Sequence, residues 1–135
     1  MNKKTATGAL LAAFSVILGA FAAHGLQKYL DNGLMDEKMM HNFETAARYQ
    51  MYHAIGIILL GILETNKTAG KWLNSAFYLF IAGVILFSGS LYVLSTRNVI
   101  GLENWQWLGP VTPLGGLCMI SGWLVMAYAA LKKKG

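Results

Sequence analysis

Cysteine and charge are what this chain of 135 residues has least of. It carries one cysteine, six acidic residues, and charged residues of either sign at only 13% of positions; a soluble domain carries about 25%. The single cysteine, Cys118, excludes an intrachain disulfide and a cysteine-based zinc knuckle. Set in an apolar run, it reads as a small buried hydrophobe. The shortage of charge excludes a water-covered globule, because too few groups remain to face solvent. What is present instead is apolar: 56% hydrophobic residues and a mean hydropathy of +0.47, over a length that fits one domain. A bilayer is the solvent that suits such a chain.

The net charge of +5 invites a nucleic-acid partner, and the positions of the charges argue against one. Lys3, Lys4, Lys67, Lys71, Lys132, Lys133 and Lys134 lie beside the ends of apolar runs, and no basic stripe alternates with aromatic residues. Lysine next to a span has an ordinary role in orientation and in contact with anionic headgroups.

A spanning helix needs about 20 mainly apolar residues. Four segments qualify, near 5–26, 43–63, 72–95 and 111–131. The fold class is therefore an all-α membrane protein, a bundle of four transmembrane helices in one domain. The positive-inside rule places seven lysines inside (Lys3, Lys4, Lys67, Lys71 and Lys132–Lys134) against Lys28, Lys38 and Arg97 outside, so both termini are predicted inside. A cleaved signal peptide is the rival reading of the first span, with Lys3-Lys4 as its basic start and Ala20-Phe21-Ala22 as the cleavage site. Small residues at helical spacing favour a retained helix instead. Asp36, Glu37 and Lys38 open an amphipathic stretch that runs into the second span, and Thr112 with Pro113 reads as the N-cap and first residue of the fourth. Trp72, Tyr92, Trp105 and Trp107 fall near span ends, as an aromatic belt does.

Membrane helices associate through small residues. Gly8, Ala12, Ser15, Gly19 and Ala23 mark one face of the first span, Ala76, Gly83 and Ser90 one face of the third, and Gly115, Gly122 and Ala129 one face of the fourth. A small bundle has too few inward faces for all of these, so a homo-oligomer is expected.

Polar residues inside a span are expensive and mark function or fastening. Glu37, His41, Glu44, Arg48 and Tyr52 share one face of the second span within about 80°. Glu44 and Arg48 are an i,i+4 pair in the favourable order, and Tyr49 and His53 form another. His24, Ser88, Ser90, Tyr92 and Thr112 fall at the same outer level of the other helices. The candidate polar site is thus an outer-half layer of these residues with Gln50. The favoured reading is a structural ion pair at Glu44–Arg48 with the rest as hydrogen-bonding glue. The sharper reading is a pocket for an ion, a proton or a small polar group, His53 being placed to relay protons.

Other chemistry lacks support. Gly70-Lys71 has no P-loop spacing, His41 and His53 have no matching ligand pair for a metal, and no nucleophile elbow exists. Asn66-Lys67-Thr68 is a glycosylation sequon on the side predicted inside. No cofactor, catalytic residue or nucleic-acid partner is expected. A small transporter or channel is the second functional reading, and a membrane enzyme with Glu44 or a histidine as acid–base the third.

Four stretches in order, "GAFAAHGL" (Gly19–Leu26), "ETAARYQMYHAIGI" (Glu44–Ile57), "FSGSLYVL" (Phe87–Leu94) and "GPVTPLGG" (Gly109–Gly116), resemble a family of small bacterial membrane proteins, domain of unknown function 423, to which the animal transmembrane protein 256 is related. The resemblance covers nearly the whole chain and departs at Ala22, where the family commonly has glycine. It implies a multi-span protein of the bacterial cytoplasmic membrane and no particular activity. Its motif positions coincide with the polar layer: His24, Glu44, Tyr49, Gln50, Tyr52, His53, Ser88, Ser90, Tyr92, Thr112 and Pro113.

Overall fold

The computed structural model describes residues 2–64 and 70–132, and every regular element within them is helical. The order is α1 (Lys3–His24), α2 (Gln27–Asp31), α3 (Glu37–Leu63), α4 (Gly70–Gly83), a π-helical segment (Val84–Gly89), α5 (Ser90–Thr96), a 3-10 turn (Trp105–Leu108) and α6 (Val111–Lys132). The α4, π and α5 segments run on as one rod, Gly70–Thr96, so four helical rods are long and apolar enough to cross a membrane. The sequon at Asn66-Lys67-Thr68, and with it Lys67, Lys133 and Lys134, lie outside the described residues.

Local chemistry sets the helix starts. The Asn2 side chain accepts from the Thr5 N–H at 3.2 Å, capping α1, while its amide donates to the Gly61 carbonyl on α3 at 2.5 Å. Asp36 caps α3 through the Met39 N–H at 2.7 Å, and the helix continues unbroken as the amphipathic stretch predicts. Thr112 departs from its expected role. It is the second residue of α6, and its hydroxyl meets Ser90 rather than a backbone N–H. Pro113 still lies in the first turn, where a missing N–H costs no helical bond.

α3 is the hub. α1 packs along one side of it, the Gly70–Thr96 rod packs along another, and α6 packs on that rod. The third and fourth seams are those the sequence predicts, with Ala76, Gly83, Ser90, Gly115, Gly122 and Ala129 all buried. Gly115 has a specific cause. A Cβ there would strike the backbone of Leu86 and Phe87, inside the π segment. A π turn is wider than an α turn, and only glycine lets α6 approach it so closely.

The first seam differs from expectation. Gly8, Ser15 and Ala22 are buried, whereas Ala23 is exposed and a Cβ at Gly19 would meet nothing within 4 Å. Contact between two nearly aligned rods recurs every seven residues, and steps of four, three, four and four drift off that line. Ala22, where the family commonly has glycine, is 2% exposed and packs with Leu26, Met35 and Phe43.

Lys4, near the start of α1, and Lys132, the last residue of α6, lie at one end of the bundle. There Lys4 Nζ meets Glu64 Oε1 at 2.5 Å, and Lys132 Nζ sits 5.7 Å from the Trp72 ring. The opposite end is closed by α2, by a turn that uses positive φ at Gly33 (82°), and by the 97–110 loop with exposed Trp105 and Trp107.

Candidate functional site

The buried face of α3 carries Gln50 and His53, each 4% exposed. Gln50 ties three rods together. Its Nε2 donates to the Leu11 carbonyl on α1 at 2.9 Å, and its Oε1 accepts from the Tyr92 hydroxyl on α5 at 2.7 Å. His53 ties α3 to α6: its Nε2 takes the Trp123 indole N–H at 3.1 Å, and its Nδ1 lies 2.7 Å from the Tyr49 carbonyl. An indole N–H can only donate, so Nε2 is the acceptor and the proton sits on Nδ1. Both nitrogens of this neutral ring are engaged, and Phe80 and Trp123 pack around it at centroid distances of 5.3 and 5.8 Å.

Serines extend the network through backbone carbonyls. Ser15 on α1 donates to the Ala47 carbonyl at 2.6 Å, and Ser88 in the π segment donates to the Ala46 carbonyl at 2.8 Å. Ser90 Oγ lies 2.6 Å from Thr112 Oγ1 and donates to the Phe87 carbonyl at 3.0 Å, so Thr112 supplies the other proton. In hydrocarbon an unsatisfied polar group costs several kcal/mol, which is why each of these hydroxyls reaches a partner. Ser95 Oγ is the exception among the described residues, buried without one.

This network differs from the expected outer layer in depth and in membership. Gln50 is the central residue of α3, Leu11 and Ser15 flank the centre of α1, and Trp123 is near the centre of α6. Gln50, His53, Leu11, Ser15 and Trp123 are therefore at mid-height, while Ser90, Tyr92 and Thr112 lie toward the end away from Lys4 and Lys132. His24 is exposed where α1 ends. The Phe21 ring covers Gly25, and Leu26 rather than His24 turns into the core at 1% exposure.

Glu44 and Arg48 are exposed, and they make no ion pair with each other among the described residues. Arg48 Nη2 instead reaches Thr45 Oγ1 at 3.3 Å. The face shared by His41, Glu44, Arg48 and Tyr52 is real, but it is the exposed face of α3. Tyr49, 40% exposed, rests on Phe87 at a centroid distance of 4.8 Å and contributes its carbonyl to His53.

Sequence reasoning missed Trp123 and the acceptor carbonyls of Leu11, Ala46 and Ala47. A tryptophan in mid-span was the available signal, since its donor N–H needs an acceptor where there is no water. Two openings border these residues. One, of about 430 Å³, lies between α1 and α5 and is lined by apolar side chains such as Leu18, Leu26, Phe43 and Val93. The other, about 330 Å³, is a groove between α1 and α3 holding Gly19, Glu44 and Arg48. Among the described residues no three His, Cys, Asp or Glu side chains gather as metal ligands.

Comparison with known proteins agrees with this architecture. Residues 18–116 match the family described as protein of unknown function (DUF423). The chain is 39% identical over 128 residues to a UPF0382 membrane protein of Staphylococcus haemolyticus, covering 95% of this chain and 94% of that protein. It is 38% identical over 125 residues to the UPF0382 membrane protein YwdK of Bacillus subtilis, covering 93% of each. It is 37% identical over 137 residues to a UPF0382 membrane protein of Haemophilus influenzae, covering 98% of this chain and 97% of that one. No solved structure matches. A four-rod apolar helical architecture, a family match across most of the chain and relatives named as membrane proteins make one conclusion: the chain belongs to the DUF423 family and is a membrane protein.

Proposed function

We propose that this protein is a multi-pass component of the bacterial cytoplasmic membrane that works by binding protein, its own copies first, rather than by catalysing a reaction or conducting a solute. The observation that carries this reading is the division of its polar groups. Gln50, His53, Ser88, Ser90 and Tyr92 are consumed by bonds within the chain. The charged Glu44 and Arg48 face outward. A bundle whose inward polar groups already hold one another is a fastened scaffold, and its free chemistry is on the outside. Lys3, Lys4, Lys71 and Lys132 at one end of the bundle favour that end as the cytoplasmic one.

The test is the mass of the protein in nanodiscs of its native lipid. More than one copy per disc, at protein-to-disc ratios where chance pairing is negligible, is the expected result. A single copy at every ratio overturns the self-association reading.

A further inference from the structure

The exposed face of α3 changes character along its length. His41, Glu44, Arg48 and Tyr52 occupy the half away from Lys4 and Lys132, and Ile55, Leu59 and Ile62 the other half. The aliphatic half suits lipid tails. The charged half sits beside the α1–α3 groove, whose walls are Ser15, Val16, Gly19, Ala47 and Met51. Counted from Glu64 at 1.5 Å per residue, Glu44 is about 30 Å along α3 and Arg48 about 24 Å. The hydrocarbon layer is about 30 Å thick. Arg48 therefore starts roughly one turn inside it, on a surface that nothing among the described residues covers.

Resting on the self-association reading, we propose that this groove is where a second copy of the chain docks, with Glu44 of each copy meeting Arg48 of the other. Three observations support that occupant. The face carries one charge of each sign, so it is complementary to itself, which a two-fold interface requires. Neither charge has an ion-pair partner among the described residues. The Arg48 guanidinium extends to Thr45, placing its charge at the height of Glu44, so copies related by an axis along the membrane normal bring the two together. Gly19 completes the fit. A Cβ there would meet nothing within 4 Å, so the groove floor is open to a neighbouring helix, unlike Gly8, where a Cβ would lie 2.7 Å from the Ala54 carbonyl.

The experiment uses full-length protein in native membranes. In a Cys118→Ser background, Gly19→Cys is expected to form an oxidative dimer and Leu124→Cys, on the exposed face of α6, is not. In nanodiscs, Glu44→Lys and Arg48→Glu should each weaken the dimer about tenfold or more by opposing like charges. An equal mixture of the two variants should regain most of the lost affinity, because each then meets the opposite charge. That recovery also shows that both variants fold. Cross-linking through Leu124→Cys alone, or dimers indifferent to the charge changes, overturns this interface while leaving self-association standing. Single copies throughout overturn both.

Discussion

Gln50 and His53 lie within ten residues of Glu44 and Arg48 on the same helix, yet the two sets meet opposite surroundings. The buried set is neutral and fully bonded: an amide between two rods, an imidazole between a carbonyl and an indole. The exposed set is charged and, among the described residues, its side chains bond only Thr45. Energetics explain the sorting. A neutral group enters a membrane bundle at small net cost once its bonds are made, whereas a charge at span centre costs about 2.5–3.5 kcal/mol even on lenient scales, so the neutral pair sits at mid-span and the charges lie toward the end of α3. The contrast teaches that periodicity identifies which residues share a face, and small residues identify which face is buried. Ala46, Ala47, Ala54, Gly56 and Gly61 all lie on the side with Gln50 and His53, because close approach of backbones is what holds membrane helices together.

The strongest way to break the inner half of this contrast is at the π segment, which presents Ser88 to α3 and is followed directly by Ser90, the residue that meets α6. Gly115→Val forces α6 away from the Leu86–Phe87 backbone. We expect a loss of about 3 kcal/mol or failure to fold, read by SDS-titration unfolding. Gly19→Val, facing open space, should leave that titration nearly unchanged. Next in size is His53→Phe, which strands the Trp123 N–H and should cost about 1–3 kcal/mol. Adding Trp123→Phe should return most of that loss, and a double-mutant cycle showing no coupling would break the account of this bond. Gln50→Leu strands the Tyr92 hydroxyl. Interhelical bonds in membranes average about 0.6 kcal/mol, so we expect a loss near 1 kcal/mol, reduced by Tyr92→Phe.

Much of the fold was legible for simple reasons. Span length follows from bilayer thickness, and the heptads Ala76-Gly83-Ser90 and Gly115-Gly122-Ala129 follow from close packing. The site was legible as a membership list and less so as an arrangement. Gln50 bonds Tyr92 and Ser90 bonds Thr112, but the other partners, apart from Trp123, are backbone carbonyls, which every residue has and no side-chain pattern reveals. The Glu44–Arg48 spacing permits an ion pair without compelling one, since at an exposed i,i+4 position it is worth only about 0.3–0.5 kcal/mol. The π segment left no periodic trace, since Gly83 and Ser90, seven residues apart across it, are both buried.

The smallest effects separate the two kinds of charge. Lys4–Glu64 is a partly buried pair that ties α1 to the end of α3, so Glu64→Gln should cost about 0.2–1 kcal/mol, and less at high salt. The Glu44 carboxylate makes no hydrogen bond or ion pair among the described residues. Glu44→Gln should therefore leave the unfolding midpoint of the single chain unmoved, measured at a dilution in detergent where copies are separate. The same substitution in nanodiscs should lower the dimer fraction, since it removes one partner of each intermolecular pair. A fall in single-chain stability as large as that of His53→Phe would place Glu44 among the internal fasteners and erase the distinction between the two faces of α3. An unmoved midpoint together with a weakened dimer would locate the energetic role of this charge between molecules rather than within one.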